Sequence, residues 1–305
     1  MSTNPGNSSY HSMNLQVTKR LSQGFTSSFA YTWSRSLGEN STDGNLSYLD
    51  PNNHRLNKSL LTFHRTHDIR SNGTLELPFG PNRKFLSSAP GILARLVEKW
   101  QLGGIMRWSS GQPLTITASN SEITWTPVPG QIAIVRTPNT PLILGNFPKS
   151  AGKVTPVASG ANYFDGFKTV DDPFKSSIAT QQNLQTAFSN RALQDANGNI
   201  ILANPAPGTV GTLGRTWIEG PAHIKLDMNL LKRIRIDEVK NFEIRVDVID
   251  ILNTPYWNNP GNNGVVDINA VNFGRIDASD ITNGTSNADN RSANRKFVFS
   301  ARLNF

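Results

Sequence analysis

The charged residues that could act together on a solute recur at every second position in two stretches of this chain. Lys225 and Asp227 stand in the first stretch, and Glu243, Arg245 and Asp247 stand in the second. A charged side chain removed from water without a partner is costly, so these residues must line water or pair with one another. The solvent face of a soluble sheet shows the same alternation, and the pattern leaves both environments open.

Catalytic and metal chemistry finds little support in the sequence. His64 and His67 have a spacing that occurs in metal sites, but the chain has no cysteine and no third ligand accompanies them. A Gly-x-Ser-x-Gly nucleophile motif is absent, and no glycine-rich loop ends in the Lys-Ser/Thr pair that holds phosphate. We therefore expect no catalytic residue, no metal, no cofactor and no enzyme activity.

The elements that must carry the charged residues are strands with one apolar and one polar side. The clearest is Lys296 to Phe305, in which five apolar residues share one parity. Lipid-facing and lumen-facing positions alternate in this way in outer-membrane barrels. We predict that this strand faces lipid with one side and is the signal read by the barrel-assembly machinery. The five residues are Phe297, Phe299, Ala301, Leu303 and Phe305.

The same alternation predicts about seven strands in all, and hence an all-β, antiparallel transmembrane barrel segment. Lys232 stands on the apolar parity of its strand, and we expect its long side chain to reach water near the strand end. The residues predicted to face a water-filled lumen are Arg107, Lys225, Asp227, Glu243, Arg245 and Asp247. The other six strands are His11 to Arg20, Phe25 to Leu37, Asp68 to Leu77, Trp100 to Ser110, Ala222 to Ile236 and Asn241 to Val248.

Long and short connections alternate between these strands. In barrels the long loops are extracellular and the short turns periplasmic. Residues 118–221, rich in Pro, Gly, Asn, Thr and Ser, are therefore predicted to be a long extracellular loop insertion, with a hairpin at Asn197-Gly198-Asn199. Phe305 is then expected at the periplasmic rim. One periplasmic connection is unusually long, because Pro90 introduces a predicted amphipathic helix from Ile92 to Lys99.

Composition is compatible with a membrane barrel. Only 37% of the residues are apolar, and no window approaches a membrane-spanning helix. The net charge of +8 is scattered among polar residues, so we expect no nucleic-acid partner and instead contact with outer-membrane lipid and lipopolysaccharide. The absence of cysteine fits an oxidising envelope compartment. Met1 to His11 lacks the regions of a signal peptide, so we expect the C-terminal portion of a longer protein.

Several short motifs in this chain occur together in one known family. They are Tyr31-Thr32-Trp33-Ser34-Arg35-Ser36-Leu37, Leu77-Pro78-Phe79-Gly80, Trp100-Gln101-Leu102-Gly103-Gly104-Ile105, Ser110-Gly111-Gln112-Pro113-Leu114, Gly211-Thr212-Leu213-Gly214-Arg215 and Asp250-Ile251-Leu252-Asn253-Thr254-Pro255. In order and spacing they resemble the C-terminal barrel half of TonB-dependent outer-membrane receptors of the Oar-like kind, which carry a carboxypeptidase-regulatory-like domain at the N-terminus. The resemblance covers nearly the whole chain.

The resemblance implies a barrel of about 22 strands with an N-terminal plug domain in its lumen. It also implies uptake of an unknown small substrate with energy delivered by TonB. Residues 1–305 would then be the C-terminal portion of that barrel, without the plug domain and the N-terminal strands. TonB would be contacted only through the missing part.

Two other functions remain open at this point. The chain could form a passive porin or an adhesin-like barrel by itself. It could also be a soluble carbohydrate-binding β-sandwich that stacks sugars on its aromatic side chains. The candidates for that stacking are Trp33, Trp108, Trp125 and Tyr163.

Overall fold

The structure is a computed structural model of the 305-residue chain. It describes residues 6–39, 49, 53–88, 90–125, 135–158, 160–175, 190–206, 209–237, 240–261, 265–277 and 295–305. Within these ranges strands predominate and helices are short. No helix in the described ranges has the length and apolar character needed to cross a membrane.

The described strands fall into two groups, long ones and short ones. In chain order they are β1 (Ser8–Ser22), β2 (Phe25–Gly38), β3 (Ser59–Leu60), β4 (His67–Glu76), β5 (Trp100–Ser109), β6 (Pro113–Trp125), β7 (Val135–Asn139), β8 (Leu142–Ile143), β9 (Thr155–Val157), β10 (Gly160–Asn162), β11 (Lys168–Asp171), β12 (Arg191–Gln194), β13 (Ile200–Ala203), β14 (Ile218–Glu219), β15 (His223–Arg235), β16 (Asn241–Ile249), β17 (Val265–Asp267), β18 (Arg275–Asp277) and β19 (Lys296–Asn304). The helices are α1 (His54–Asn57) and α2 (Gly91–Val97), with a 3-10 turn at Lys149–Ala151.

The main sheet contains all the predicted long strands, with boundaries that differ by a few residues. Its order is β1-β2-β4-β5-β15-β16-β19, and the short β3 pairs with β2. Every neighbouring pair in this sheet is antiparallel, which confirms the predicted strand direction. Among the described residues β1 and β19 do not pair with each other, so the sheet is open there.

The first hairpin shows why the chain reverses so tightly. Gln23 and Gly24, the two residues between β1 and β2, have φ angles of 53° and 76°. Two positive φ values in succession are characteristic of a type I′ turn, whose twist matches that of the flanking strands. The sequence pattern had predicted this short turn.

Strand pairing separates apolar from polar side chains. Directly opposite residues in an antiparallel sheet lie on the same face. One row of directly paired residues crosses six strands and is apolar throughout. The face of the main sheet that carries this row is called the apolar face below. The row is Phe25, Leu75, Leu102, Leu230, Val246 and Phe299.

Within the described residues, no second layer of protein covers the last strands of the apolar face. Phe297 is 57% exposed and Phe299 74% exposed, and Ile244 on the neighbouring strand is also exposed. A soluble sandwich would bury these side chains in its core. The β-sandwich alternative is therefore not favoured.

Aromatic side chains mark both ends of the apolar face. Trp100 and Trp108 lie on this face at the two ends of β5, about 26 Å apart at about 3.3 Å per residue. The hydroxyl of Tyr31 lies 2.9 Å from His67 Nδ1, and the His67 ring is next to that of Trp108, with 6.4 Å between centroids. Aromatic girdles border an apolar band about 25 Å tall in outer-membrane barrels.

The largest buried core lies outside the main sheet. The described strands within 113–219, together with β17 and β18, form a second unit that is called the lobe below. Leu114 and Ile116 from β6 pack there with Val266 of β17, and all three are almost completely buried. β17 pairs in parallel with β6, a departure from the all-antiparallel expectation. The segment predicted as a loop insertion therefore contains strands and a core.

Two finer predictions concern the connections. The hairpin at Asn197-Gly198-Asn199 is confirmed, since β12 and β13 pair on either side of it. The predicted helix at 92–99 is also confirmed as α2, although it ends at Val97. Lys232 behaves differently from the prediction, because it does not reach water. It is 4% exposed, and its Nζ donates hydrogen bonds to the backbone oxygens of Arg95 and Glu98 at the end of α2.

Candidate functional site

The face opposite the apolar face carries most of the charged side chains of the main sheet, and it is called the polar face below. On it, Arg70 of β4 lies directly opposite Arg107 of β5, and Arg107 lies directly opposite Lys225 of β15. Directly opposite side chains have Cβ atoms about 5 Å apart, and like charges so placed destabilise a sheet. Three cations in one row are therefore an arrangement that sheet stability alone does not favour.

Carboxylates compensate two of these three cations. Arg70 Nε lies 2.8 Å from Asp68 Oδ1, and Lys225 Nζ lies 4.0 Å from Asp227 Oδ2. Asp227 also accepts a hydrogen bond from the backbone N–H of Asp250 at 2.8 Å. Arg107, in the middle of the row, forms no ion pair within the described residues. Its guanidinium is exposed and retains its donors for a solute.

The cation row borders a cavity of about 600 Å³ at the end of the sheet with the long connections. His223 and Tyr256 stack at its edge, with ring centroids 4.0 Å apart. Its charged lining consists of four cations, Arg65, Arg70, Arg107 and Lys225, against two carboxylates, Asp68 and Asp250. Phe63 adds aromatic surface. The lining therefore combines an excess of positive charge with aromatic groups.

The structure brings together only half of the polar residues singled out in the sequence. Arg107, Lys225 and Asp227 lie near one another. Arg70 also belongs to this group, and the alternation of polar and apolar residues in its strand would have identified it as a residue of the polar face. The remaining three lie on the same face but further toward the short turns. They form ion pairs, with Arg245 2.6 Å from Asp247 and Arg233 3.0 Å from Glu243.

The C-terminal residues predicted to face lipid lie on the apolar face. Phe297, Phe299, Ala301 and Leu303 are directly opposite Val248, Val246, Ile244 and Phe242 of β16. Phe305 follows the last paired residue and is exposed. The two predicted sets of residues thus occupy opposite faces of one sheet.

A hydrogen-bonded cluster joins the lobe to the main sheet beside the cavity. The buried His64 accepts a hydrogen bond at Nδ1 from the backbone N–H of Ser36 at 3.2 Å, so Nε2 carries the proton and donates it to Thr66 Oγ1 at 3.1 Å. Thr66 Oγ1 in turn donates to Glu219 of the lobe. Burial is the main reason that the pKa of His64 lies below its ordinary value. The neutral imidazole is therefore the form that fits this cluster.

Neither histidine of the pair noted in the sequence is arranged as a metal ligand. His64 is engaged by backbone and hydroxyl groups, whereas His67 lies beside Tyr31 on the apolar face. In the part of the chain that the structure describes, no group of three or more His, Asp or Glu side chains could hold a metal ion.

The aromatic residues proposed for sugar stacking do not form one surface. Tyr163 is buried in the lobe, and its hydroxyl donates a hydrogen bond to the backbone oxygen of Glu219 at 2.5 Å. Trp33 and Trp108 belong to the aromatic rim of the apolar face. The side chain of Trp125 lies outside the described part of the structure.

A family model described as an outer membrane beta barrel domain matches residues 1–293 of the chain. A search of curated proteins and a search of solved structures each gave no match.

Proposed function

Because this chain belongs to the outer membrane beta barrel domain family, we propose that its main sheet is part of the wall of a receptor or transporter for solute uptake. The family places the chain in the bacterial outer membrane. In the proposed arrangement the apolar face meets lipid and the polar face lines the lumen. The open edges at β1 and β19 would pair with further strands, because unpaired backbone groups in lipid are costly.

The single observation that carries this proposal is the separation of side chains by face. An apolar row crosses six strands, while Arg70, Arg107 and Lys225 lie in a row on the opposite face of the same sheet. In hydrocarbon, exposed apolar side chains cost nothing, whereas charged ones are unfavourable by about 2–4 kcal/mol near the bilayer centre. Only a membrane on one side and water on the other suits both faces.

A matched pair of cysteine variants tests this orientation, since the chain contains no cysteine of its own. Asn72 lies on the polar face, and the adjacent Ser71 lies on the apolar face opposite Phe29 and Met106. Asn72→Cys in the assembled protein should react with a membrane-impermeant maleimide. Ser71→Cys should react only with a lipid-soluble reagent. Equal reaction of both variants with the impermeant reagent would refute the assignment of the two faces.

We further propose that uptake depends on TonB, on the strength of the sequence motifs that resemble Oar-like receptors. The proposal is tested by deleting the gene in cells with and without TonB and comparing growth on single limiting nutrients. If uptake depends on TonB, deleting the gene should slow growth in cells that have TonB and should have no further effect in cells that lack it. A passive porin or adhesin-like barrel predicts a defect that adds to that of TonB loss.

The cation row indicates which solutes the polar face would favour. Arg107 offers donors that no described carboxylate occupies, and Arg70 and Lys225 flank it. Arginine recognises carboxylate and phosphate groups through paired hydrogen bonds. We therefore propose an anionic small molecule with an aromatic or apolar part as the solute class.

A trisulfonated pyrene dye is a suitable probe for this site, because it is both anionic and aromatic. A charge-assisted hydrogen bond contributes about 1.5–3 kcal/mol, so Arg107→Gln should weaken dye binding by about 10- to 100-fold in fluorescence anisotropy. Arg245→Gln is the matched control, because Arg245 lies on the same face but is paired with Asp247. Equal loss in both variants would mean that binding reflects overall charge and not this site.

A further inference from the structure

Helix α2 exposes a large apolar surface outside the main sheet. Ile92 is 80% exposed, Leu93 50% and Leu96 56%, although these are the helix's bulkiest apolar side chains. Phe85 and Leu86, a few residues earlier, are about half exposed as well. Contiguous apolar surface of this kind marks an interaction site, because water alone does not stabilise it.

Contacts at its C-terminal end hold α2 against the main sheet. Trp100 Nε1 donates a hydrogen bond to the backbone oxygen of Leu96 at 3.0 Å. Lys232 Nζ donates to the oxygens of Arg95, at 2.7 Å, and Glu98, and it lies 5.5 Å from the centre of the Trp100 ring. The free carbonyls at a helix C-terminus attract a cation, which explains why a buried lysine is tolerated here.

These contacts place α2 beside the apolar face and not beside the polar face. Trp100 and Lys232 are directly opposite each other, and both share the parity of Leu102 and Leu230. They lie at the end of the sheet that carries the short turns, where β1 joins β2 and β15 joins β16. The exposed apolar side chains of α2 therefore lie next to the rim of the surface that meets hydrocarbon.

The charges around α2 are predominantly positive. Between Arg83 and Lys99 the chain has four basic residues, Arg83, Lys84, Arg95 and Lys99, and one acidic residue, Glu98. Lys84 Nζ lies 5.7 Å from the ring centre of Phe85, so that a cation borders the apolar surface. Basic residues beside an apolar helical surface are typical of segments that bind anionic lipid.

We propose that α2 and the preceding Phe85-Leu86 pair lie in the headgroup region of the bilayer, with Lys84 and Arg95 contacting anionic phospholipid. The occupant of the exposed surface is thus the inner leaflet of the outer membrane, because short turns are periplasmic in barrels. The surface continues the apolar face past the ends of the strands. Docked in this way, α2 acts as an interfacial anchor for β5 and β15, the two strands that hold it.

Fluorescence from a single labelled cysteine tests this proposal in reconstituted vesicles. Ile92→Cys is labelled with the environment-sensitive dye NBD, and the substitution is safe for folding because the side chain is exposed. Vesicles contain phosphatidylethanolamine and phosphatidylglycerol in one sample and phosphatidylcholine alone in the other, each with a lipid spin-labelled near the headgroup. The matched control is Lys58→Cys, which is exposed at the opposite end of the sheet.

The expected result is blue-shifted emission at position 92 and at least twofold quenching by the spin-labelled lipid, with a water-like spectrum at position 58. Quenching should be stronger with phosphatidylglycerol, and Lys84→Gln combined with Arg95→Gln should remove that difference between lipids. Water-like emission at position 92 in both vesicles, or blue-shifted emission that the spin-labelled lipid does not quench, would overturn the proposal. The second outcome would indicate a protein partner.

Discussion

Replacing Asn204 by leucine should loosen the whole lobe, because this buried side chain connects three separate segments. Its Nδ2 lies within hydrogen-bond distance of Asp172 Oδ2 (3.2 Å), the Arg191 backbone oxygen (2.9 Å) and Asn269 Oδ1 (3.0 Å). Its Oδ1 accepts a hydrogen bond from Asn269 Nδ2 at 2.9 Å. Leucine has the same number and branching of side-chain heavy atoms, so the substitution removes these bonds without opening a cavity.

The size of the effect follows from the groups that lose their partner. Each neutral hydrogen bond contributes about 1 kcal/mol, and one to a charged carboxylate about 1.5–3 kcal/mol. Asp172 is 1% exposed, so water does not readily replace the lost donor. Together the losses at Asp172, Arg191 and Asn269 amount to about 3–5 kcal/mol of opening free energy. This is a substantial fraction of the 5–15 kcal/mol that typically stabilises a domain.

Hydrogen exchange followed by mass spectrometry measures this opening directly. Every 1.4 kcal/mol corresponds to a tenfold change, so amides of β12 and β13 should exchange at least about a hundredfold faster in Asn204→Leu. Asn162→Leu in β10 is the matched control, since this asparagine is exposed and should change exchange by less than about threefold. Equal protection in the Asn204 variant and the wild type would refute the view that this network holds the lobe together.

Three further changes have specific expected outcomes. Burial holds the pKa of His64 below its ordinary value, so its contribution to stability is complete above about pH 6.5 and is lost as the pH falls; the protection factor of the Ser36 amide, which corrects for the intrinsic pH dependence of exchange, should therefore fall toward pH 5, and His64→Gln should remove that fall. Lys232→Met should release the end of α2, detected as at least twofold faster proteolysis at Arg95, while Lys225→Met should leave the cleavage rate unchanged. Phe305→Ala should lower the yield of assembled protein several-fold without changing its synthesis, whereas Asn304→Ala should leave the yield unchanged. Equal yields of the two variants would show that the terminal aromatic residue is not part of the assembly signal.

The long strands could be predicted because their signal is local. In Lys296–Asn304, every residue except Val298 shows by its own polarity which face it occupies, and no distant contact is needed to recognise the alternation. The partner strands were equally accessible, since consecutive strands in a meander pair with their neighbours. The sequence therefore predicted both the elements of the main sheet and the separation of its faces.

The lobe could not be predicted in the same way, because all its described strands except the 13-residue β6 are short and many pair over long distances. β17 lies beside β6 although about 150 residues separate Val266 from its partner Ile116 in the chain. Strands of two to five residues show too few alternations to be distinguished from polar loops. Asn204 and Asn269 likewise look like ordinary loop residues until the fold brings them together.

The candidate site could be predicted from the sequence only in part. Alternation predicted that Arg107 and Lys225 point to the polar face, but it does not say which residues lie directly opposite each other. That depends on the register, which places Arg70, Arg107 and Lys225 in one row. For Lys232, the sequence alternation showed that it lies on the apolar parity. It did not show that its partner is the end of α2.

The main sheet and the lobe depend on different solvents for their stability. In the lobe, Leu114 and Ile116 are completely buried by protein, so each contributes about 1.5–3 kcal/mol in water. In the sheet, Phe299 is 74% exposed and gains this free energy only when hydrocarbon covers it. The two parts meet at Thr66, whose hydroxyl donates a hydrogen bond to Glu219 of the lobe. Ser110 Oγ of the main sheet accepts hydrogen bonds from the backbone N–H groups of Thr66 and His67 beside this contact. The cavity with its cation row lies beside this junction.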